Sequence, residues 1–488
     1  MRTLLFLLLL SATFPVSGQV TLAHDFNPSP TNPGMPQQLT PYMGKLFLTA
    51  DDGIHYYELW SVDTLDNAAL IGDLNPVAIL GSQLVPNYFA VAGNKLYFTG
   101  NSGQVGCEIY QYDGSAITLA VDMYPGTTTS SPTSLTSFNG RLYFIAREPG
   151  MGRTLYSLDP LTNSTKKIFQ PMSSALARTI MFPFNGKLYF PGFIPGYGIE
   201  LCTYDPIADT VIRLTDMEPG LGNASPTNFT VLNNMLYYTA WTSAYGYELY
   251  SYDNATGATR LSDMAVGSHT GVGQIFAFQN AVFFSGGKNQ NHQLYKYVPD
   301  ENQISLVATI NPTQYASIRN FIEYRNKLYF SADDGTHGAE LWSCDGTNVT
   351  LYDTWNLPGA GIMPSNLTVW NNSIYMSAHN MGTNIELYKF TDTSTLSIQS
   401  LNFKGSVAIF PNPVAEVLTI KLSVPAQEMV EVSISDITGR EIYRSGLKHI
   451  DRHAVWQIPF GETAAGVYLC SIRNAEGKLY RQERIVKQ

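Results

Sequence analysis

Charge is what this chain has least of. Only 14% of its 488 residues are Asp, Glu, Lys or Arg, against roughly 25% in ordinary soluble domains. The charge present leans acidic. The net value is −10, the last 86 residues hold 11 bases and 9 acids, and residues 3–402 carry −13. Such a surface repels nucleic acid and anionic lipid, so neither is an expected partner, while neutral partners such as glycans stay open. Cysteine is equally sparse. Cys107, Cys202, Cys344 and Cys470 stand far apart, without the paired spacing of a zinc site, and read as buried strand residues rather than staples. The eight histidines are scattered, and only His55 and His337 occupy equivalent places. No H-E-x-x-H, no G-x-S-x-G and no reactive Cys/His pair occurs, so no catalytic, cofactor or metal residue is assigned. Long apolar runs are missing too, apart from Leu4 to Leu10. With Arg2 before it and Ser17-Gly18 after it, that run predicts a secretory signal peptide over residues 1–18. It falls short of the roughly 20 residues of a membrane span, so no transmembrane segment is expected in the mature chain.

What the chain has instead is 30 Tyr, 24 Phe, 40 Gly and 27 Pro, a mixture that points to an all-β fold of short strands and many turns. One phrase recurs: a polar turn and then a strand, as in "GKLFL" at Leu46, "NKLYF" at Leu96 and "GRLYF" at Leu142. It returns at Leu188, Leu236, Val282, Leu328 and Ile374, with successive spacings of 50, 46, 46, 48, 46, 46 and 46 residues. A second phrase follows each copy and carries an acid: Glu58 with Trp60, Glu108, Glu200, Glu248, Glu340 with Trp342, and Glu386. Thr154 and Gln293 replace the acid in the third and sixth units. A third phrase, Asp-x-x-Pro, begins at Asp25, Asp73, Asp122 and Asp216 and is degenerate elsewhere.

Each unit reads as four strands. In the third they are 134–138, 141–146, 154–158 and 166–169, set apart by Asn-Gly, Pro-Gly and Asp-Pro turns. Both faces are apolar: Leu142 and Phe144 point one way, Tyr143 and Ile145 the other. A sheet needs two apolar faces only when neighbours cover both, which predicts an eight-bladed β-propeller over residues 19–402. "VTLAHDFNPSP" at Val20 resembles "VTLYDTWNLPG" at Val349. The chain is therefore expected to begin with the last strand of the final blade, with 395–401 as the competing claimant. "GAELWSCDGTNVTLYD" (338–353) resembles the ELWxxDGT repeat family of exported bacterial proteins, closely only in the seventh unit. That resemblance implies export and says little about activity.

From Phe403 the period stops. Pro411-Asn412-Pro413 precede a strand, Asp436 and Gly439-Arg440 mark a turn, Gly466 and Tyr468 lie in the next strand, and Lys487 ends the last. Period-two alternation predicts a small immunoglobulin-like sandwich of seven strands over residues 403–488. These motifs resemble the C-terminal sorting domain of the type IX secretion system (Por secretion tail) of Bacteroidetes-type bacteria. The resemblance implies passage through the periplasm, recognition by that machinery, and a secreted or outer-surface destination. The acidic "ADDGIHYYE" (50–58) and "ADDGTHGAE" (332–340) read as hairpin turns, because adjacent acids diverge rather than converge on an ion. The expected function is a non-enzymatic propeller binding a glycan or protein partner. The alternative is a hydrolase or lyase acting on extracellular polysaccharide from divergent loops such as 191–198 or 289–293.

Overall fold

The computed structural model describes residues 18–29, 32–74, 86–150, 152–172, 180–264, 271–287, 291–354, 359, 361–379, 384–392, 406–424, 427–436, 441–461, 463–464, 466–474 and 479–487. The signal-peptide segment 1–17 and the rival closing strand 395–401 lie outside them. The chain divides into two compact units, Met1–Thr393 and Ser394–Gln488.

The first unit is a succession of four-stranded antiparallel sheets of the kind that make propeller blades. In chain order, sheets 1 to 7 span residues 37–72, 87–121, 133–172, 182–213, 227–260, 272–308 and 319–352. In an eighth sheet Ser365–Trp370, Ser373–His379 and Ile385–Thr391 are joined by Gln19–His24, which pairs antiparallel with Ile385–Thr391. That is the strand order expected from the likeness of Val20 to Val349. In the third unit the strands are Thr133–Phe138, Arg141–Arg147, Arg153–Leu158 and Thr165–Met172, within three residues of the sequence reading. The hairpins are built as their residues require. Asn139 and Gly140 both take positive φ, 47° and 72°, the backbone of a type I′ turn that suits the twist of paired strands.

Sequence alternation becomes packing on two faces. Leu142 and Phe144 pack with Tyr97 and Ile109 of sheet 2, whereas Tyr143 and Ile145 pack with Leu188 and Phe190 of sheet 4. The first strands of sheets 1 and 2, 2 and 3, 5 and 6, 6 and 7, and 7 and 8 lie side by side, and those of sheets 8 and 1 do likewise. Sheet 4 meets sheet 3 through the latter's last strand and meets sheet 5 through Phe182 stacked on Phe229.

The second unit is a sandwich. One sheet has three strands (Ser406–Phe410, Val417–Ser423, His453–Pro459); the other has five (Glu428–Asp436, Glu441–Arg444, Lys448–Ile450, Gly466–Asn474, Leu479–Lys487). Alternate residues Leu418, Ile420 and Leu422 meet Val430, Val432, Ile434 and Ile472 in its core. The described strands number eight rather than the seven expected. The extra one, Lys448–Ile450, is a three-residue piece on the edge of Glu428–Asp436, too short to announce itself by alternation.

Candidate functional site

The repeated acid is a buried tie between consecutive sheets. Each sits on the third strand of its sheet, where alternation turns it inward, and all but Glu340 receive backbone donors from the segment leading to the next sheet. Glu386 accepts the N–H groups of Phe26 and Gly34 on separate oxygens, both at 2.8 Å. A Cβ on Gly34 would lie 2.5 Å from that carboxylate, so the approach requires glycine. Glu108 accepts from Met123 N–H at 2.9 Å and from Ser130 through its N–H at 2.8 Å and its hydroxyl at 2.5 Å. Glu200 takes Thr215 Oγ1 (2.7 Å) and the N–H groups of Met217 (3.1 Å) and Glu218 (3.3 Å). Glu248 takes the Ser262 hydroxyl and Met264 N–H, Glu58 takes Leu74 N–H, and Glu340 takes the Thr354 hydroxyl. The Asp-x-x-Pro phrase therefore recurs with the acid because its backbone is what the acid holds.

These carboxyls are nearly dry, and in four of them burial lifts the pKa against the pull of the donors. Glu340 is raised to about 8 and Glu386 to about 7, and Glu108 and Glu200 are raised as well. In sheet 6 the substitute does the same work without charge. Gln293 Oε1 accepts the N–H groups of Ile310 (2.7 Å) and Asn311 (3.1 Å), while its Nε2 donates to Asn311 O at 2.6 Å. Trp342 is buried and donates its indole N–H to Ala332 O at 3.0 Å, whereas Trp60 is only partly buried and its N–H has no partner among the described residues.

The acidic turns close on themselves. Asp52 accepts the N–H groups of Ile54 and His55 and holds His55 Nδ1 at 2.7 Å, and Asp334 does the same with Thr336, His337 and His337 Nδ1. These hydrogen bonds to Asp52 and Asp334 push both imidazoles above their ordinary pKa. Among the described residues no group of His, Cys, Asp or Glu is arranged to hold a metal ion. The four cysteines are buried and unpaired.

Two features escaped the sequence reading. The first strands of seven sheets break register near their second residue, and in six that residue is left-handed: Gln38, Tyr88, Ser134, Asn228, Asn320 and Asn366, with φ between 51° and 60°. Such bulges re-aim side chains, and here they join neighbours: Asn320 N–H donates to Gln274 of sheet 6 and Asn320 Nδ2 to Pro364 O before sheet 8. Thr368 of sheet 8 donates to Leu39 O of sheet 1. The second feature is a cavity of about 470 Å³ where the bulges of sheets 1, 2 and 3 meet, lined by Gln37, Gln38, Asn87, Tyr88, Ser134 and Thr136 among others. The eight first strands carry only two charged residues, Arg319 and Glu323, both in sheet 7.

In the second unit several of the residues singled out in the tail lie together. Asn412, between Pro411 and Pro413, accepts the Val486 N–H at 2.9 Å, and Val414 bridges to Lys487. Gly466 pairs with Lys487, and Tyr468 lies opposite Ile485 on one side and Asp436 on the other. The Tyr468 hydroxyl donates to Ala464 O at 2.7 Å. Gly439 and Arg440 lie outside the described residues.

Comparison with known proteins accords with the second unit. The family profile of the secretion system C-terminal sorting domain (Por_Secre_tail) matches residues 408–488. The chain is thus exported by type IX secretion to the cell surface or the medium. Among the described residues no helix is long and apolar enough to cross a membrane. No curated protein matches the chain. Solved structures resemble it distantly. PorZ, a surface component of the type-IX secretion system of Porphyromonas gingivalis, is 15% identical over 91% of this chain and 64% of its own, with a TM-score of 0.37. A prolyl endopeptidase is 10% identical over 80% and 54%, TM-score 0.46, and TolB from Acinetobacter baumannii 15% over 54% and 63%, TM-score 0.31. The chain spans between 54% and 64% of the length of these three proteins.

Proposed function

We propose that this protein is a secreted or surface-attached binding protein whose first unit is a closed, eight-bladed propeller of ELWxxDGT type. Residues 1–18 serve as its leader, residues 19–402 as the propeller, and residues 403–488 as the sorting tail. The ring is supported by the side-by-side order of the first strands, which returns from sheet 8 to sheet 1, and by Gln19–His24 completing the last sheet. Pro411, Asn412, Pro413, Asp436, Gly439, Arg440, Gly466, Tyr468 and Lys487 form the sorting signal, while the repeat acids and Trp342 hold the blades in place.

The observation that carries the binding role is the cavity between sheets 1, 2 and 3. Amide, hydroxyl and phenol groups beside an aromatic ring suit a saccharide, whose hydroxyls need donors and acceptors and whose ring faces stack on aromatics. The first strands offer no pair of carboxylates set to share acid and base roles in glycoside cleavage, since Glu323 is their one acid. The test is the purified full chain on glycan arrays and on a panel of extracellular polysaccharides. Binding without turnover is expected. Turnover lost in a single acid-to-amide variant would replace this reading with a hydrolase or lyase.

A further inference from the structure

Arg153 stands immediately before Thr154, the position at which sheet 3 lacks the acid of the other blades. The side chain is only 8% exposed. Its Nη1 donates to two neutral acceptors, Ser131 O at 3.3 Å and Thr133 Oγ1 at 3.2 Å. Among the described residues its buried Nε has no acceptor. Directly across the hairpin lies Arg147, a like charge where an opposite one would stabilise. Burial lowers the Arg153 pKa, with Arg147 adding to the effect, and the one group opposing it is the phenol of Tyr88. Arginine nonetheless stays charged. A buried cation facing a second cation and, among the described residues, no carboxylate is expensive, and such a site is relieved when an anion completes it.

What adjoins Arg153 narrows the anion. Thr133, which holds the guanidinium, is followed by Ser134, part of the wall of the 470 Å³ cavity, whose buried hydroxyl has no partner among the described residues. Tyr88, whose N–H is tied to Asn87 Oδ1 at 2.8 Å, lines the same cavity from sheet 2, with Gln38 from sheet 1. The cation is not itself a wall of the cavity but adjoins it, through Thr133 beside Ser134 and through the Tyr88 phenol, while an aromatic ring and side-chain amides line the cavity itself.

We propose that this cavity and the arginines beside it bind an acidic saccharide, its carboxylate or sulfate on Arg153 and Arg147, its ring on Tyr88, and its hydroxyls on Gln38 and Asn87. The proposal rests on the reading of the cavity as a glycan site and specifies the charge of the glycan. It also accounts for an arginine pair in a chain whose net charge is −10. A planar, bidentate guanidinium matches either oxyanion.

The experiment is calorimetric titration of the purified full chain with three probes of similar length: a galacturonate oligosaccharide, a sulfated galactose oligosaccharide and an uncharged galactose oligosaccharide. At least one acidic probe is expected to bind ten-fold or more tightly than the neutral one, with affinity falling as salt rises, and which acidic probe wins separates carboxylate from sulfate. Arg153→Gln should erase the preference while leaving residual neutral binding, and Tyr88→Ala should weaken all three probes. Should Arg153→Gln fail to fold, Arg153→Lys, which keeps the charge and loses the fork, should still lower the preference several-fold. Equal affinity for acidic and neutral probes, or an Arg153→Gln protein that folds and keeps the preference, overturns the proposal and leaves the glycan reading standing. No binding of any saccharide removes both.

Discussion

A carboxylate buried among backbone donors can be held charged by those donors or kept neutral by its burial, and the repeat acids set the two against each other. For Glu340, raised to about 8, burial wins. A folded-state pKa above the unfolded value means that stability is fully present below about pH 4.5 and is lost as pH rises through about 8. Glu386, raised to about 7, has the same sign, and so do the histidines His55 and His337, whose pKa values are also raised. The protein should therefore be more stable at pH 5 than at pH 9. Glu340→Gln should remove a part of that slope on the order of 2–4 kcal/mol, read from urea unfolding at the two pH values. Gln293 shows that an amide fits the position, so the variant should fold. An unchanged slope would mean that Glu340 is ionised throughout. Trp342 tests packing at the same scale: Trp342→Ala should cost about 3–5 kcal/mol, because a large buried ring and its bond to Ala332 O are both lost. A loss under about 1 kcal/mol would assign Trp342 to a binding surface.

Among the elements, the strand that closes the last sheet is the most exposed to test. Gln19–His24 pairs with Ile385–Thr391 through Val20 opposite Phe390, and Val20 packs with Phe390 and Tyr352. Deleting residues 19–24 should leave Ile385–Thr391 as an open edge, lower the thermal midpoint by about 10 °C or more and promote self-association. A midpoint within 2 °C or so of wild type would show that another segment closes the sheet. This element was legible because it repeats the wording of 349–359, and the strands of sheet 3 were legible because period-two alternation and Asn-Gly turns are local. The bulges at Gln38, Tyr88 and Ser134 were not. They arise where the first strands of neighbouring sheets converge, and nothing in the hexapeptide around them forces a left-handed residue. The acid itself was plain in the repeat, but its partners lie from 14 to 360 residues away, so its task as a tie appears only when the sheets are assembled. Arg153 was invisible for a related reason: beside a missing acid it reads as an ordinary surface arginine, and only its burial and the company of Arg147 make it a candidate.

For the whole molecule, the decisive question is whether the two units are separable. Every described strand of residues 19–391 pairs within the first unit, and every described strand from 406 to 487 pairs within the second. Among the described residues the first unit completes its last sheet with its own first strand. The tail draws its core from its own two sheets and ties its Pro411-Asn412-Pro413 segment to its own last strand. Removing residues 403–488 should therefore leave the first unit folded, and protease resistance with an unchanged thermal midpoint would register that. Transport is a different matter, because export by type IX secretion is tied to the sorting domain over residues 408–488. In a host with that system, a chain ending at Asn402 is expected to accumulate in the periplasm, folded and protease-resistant. Residues 403–488 grafted onto an inert periplasmic protein should carry it to the surface or the medium. The same graft with Asn412→Ala and Tyr468→Ala should stay behind, since the two changes remove the tie to Val486 and the hydroxyl bond to Ala464 at the end where the motifs gather. Fractionation of the three proteins decides the matter: a truncated chain that still reaches the surface would make the tail an adhesive module. A double variant that travels as well as its parent would move the recognition signal away from that end of the sandwich.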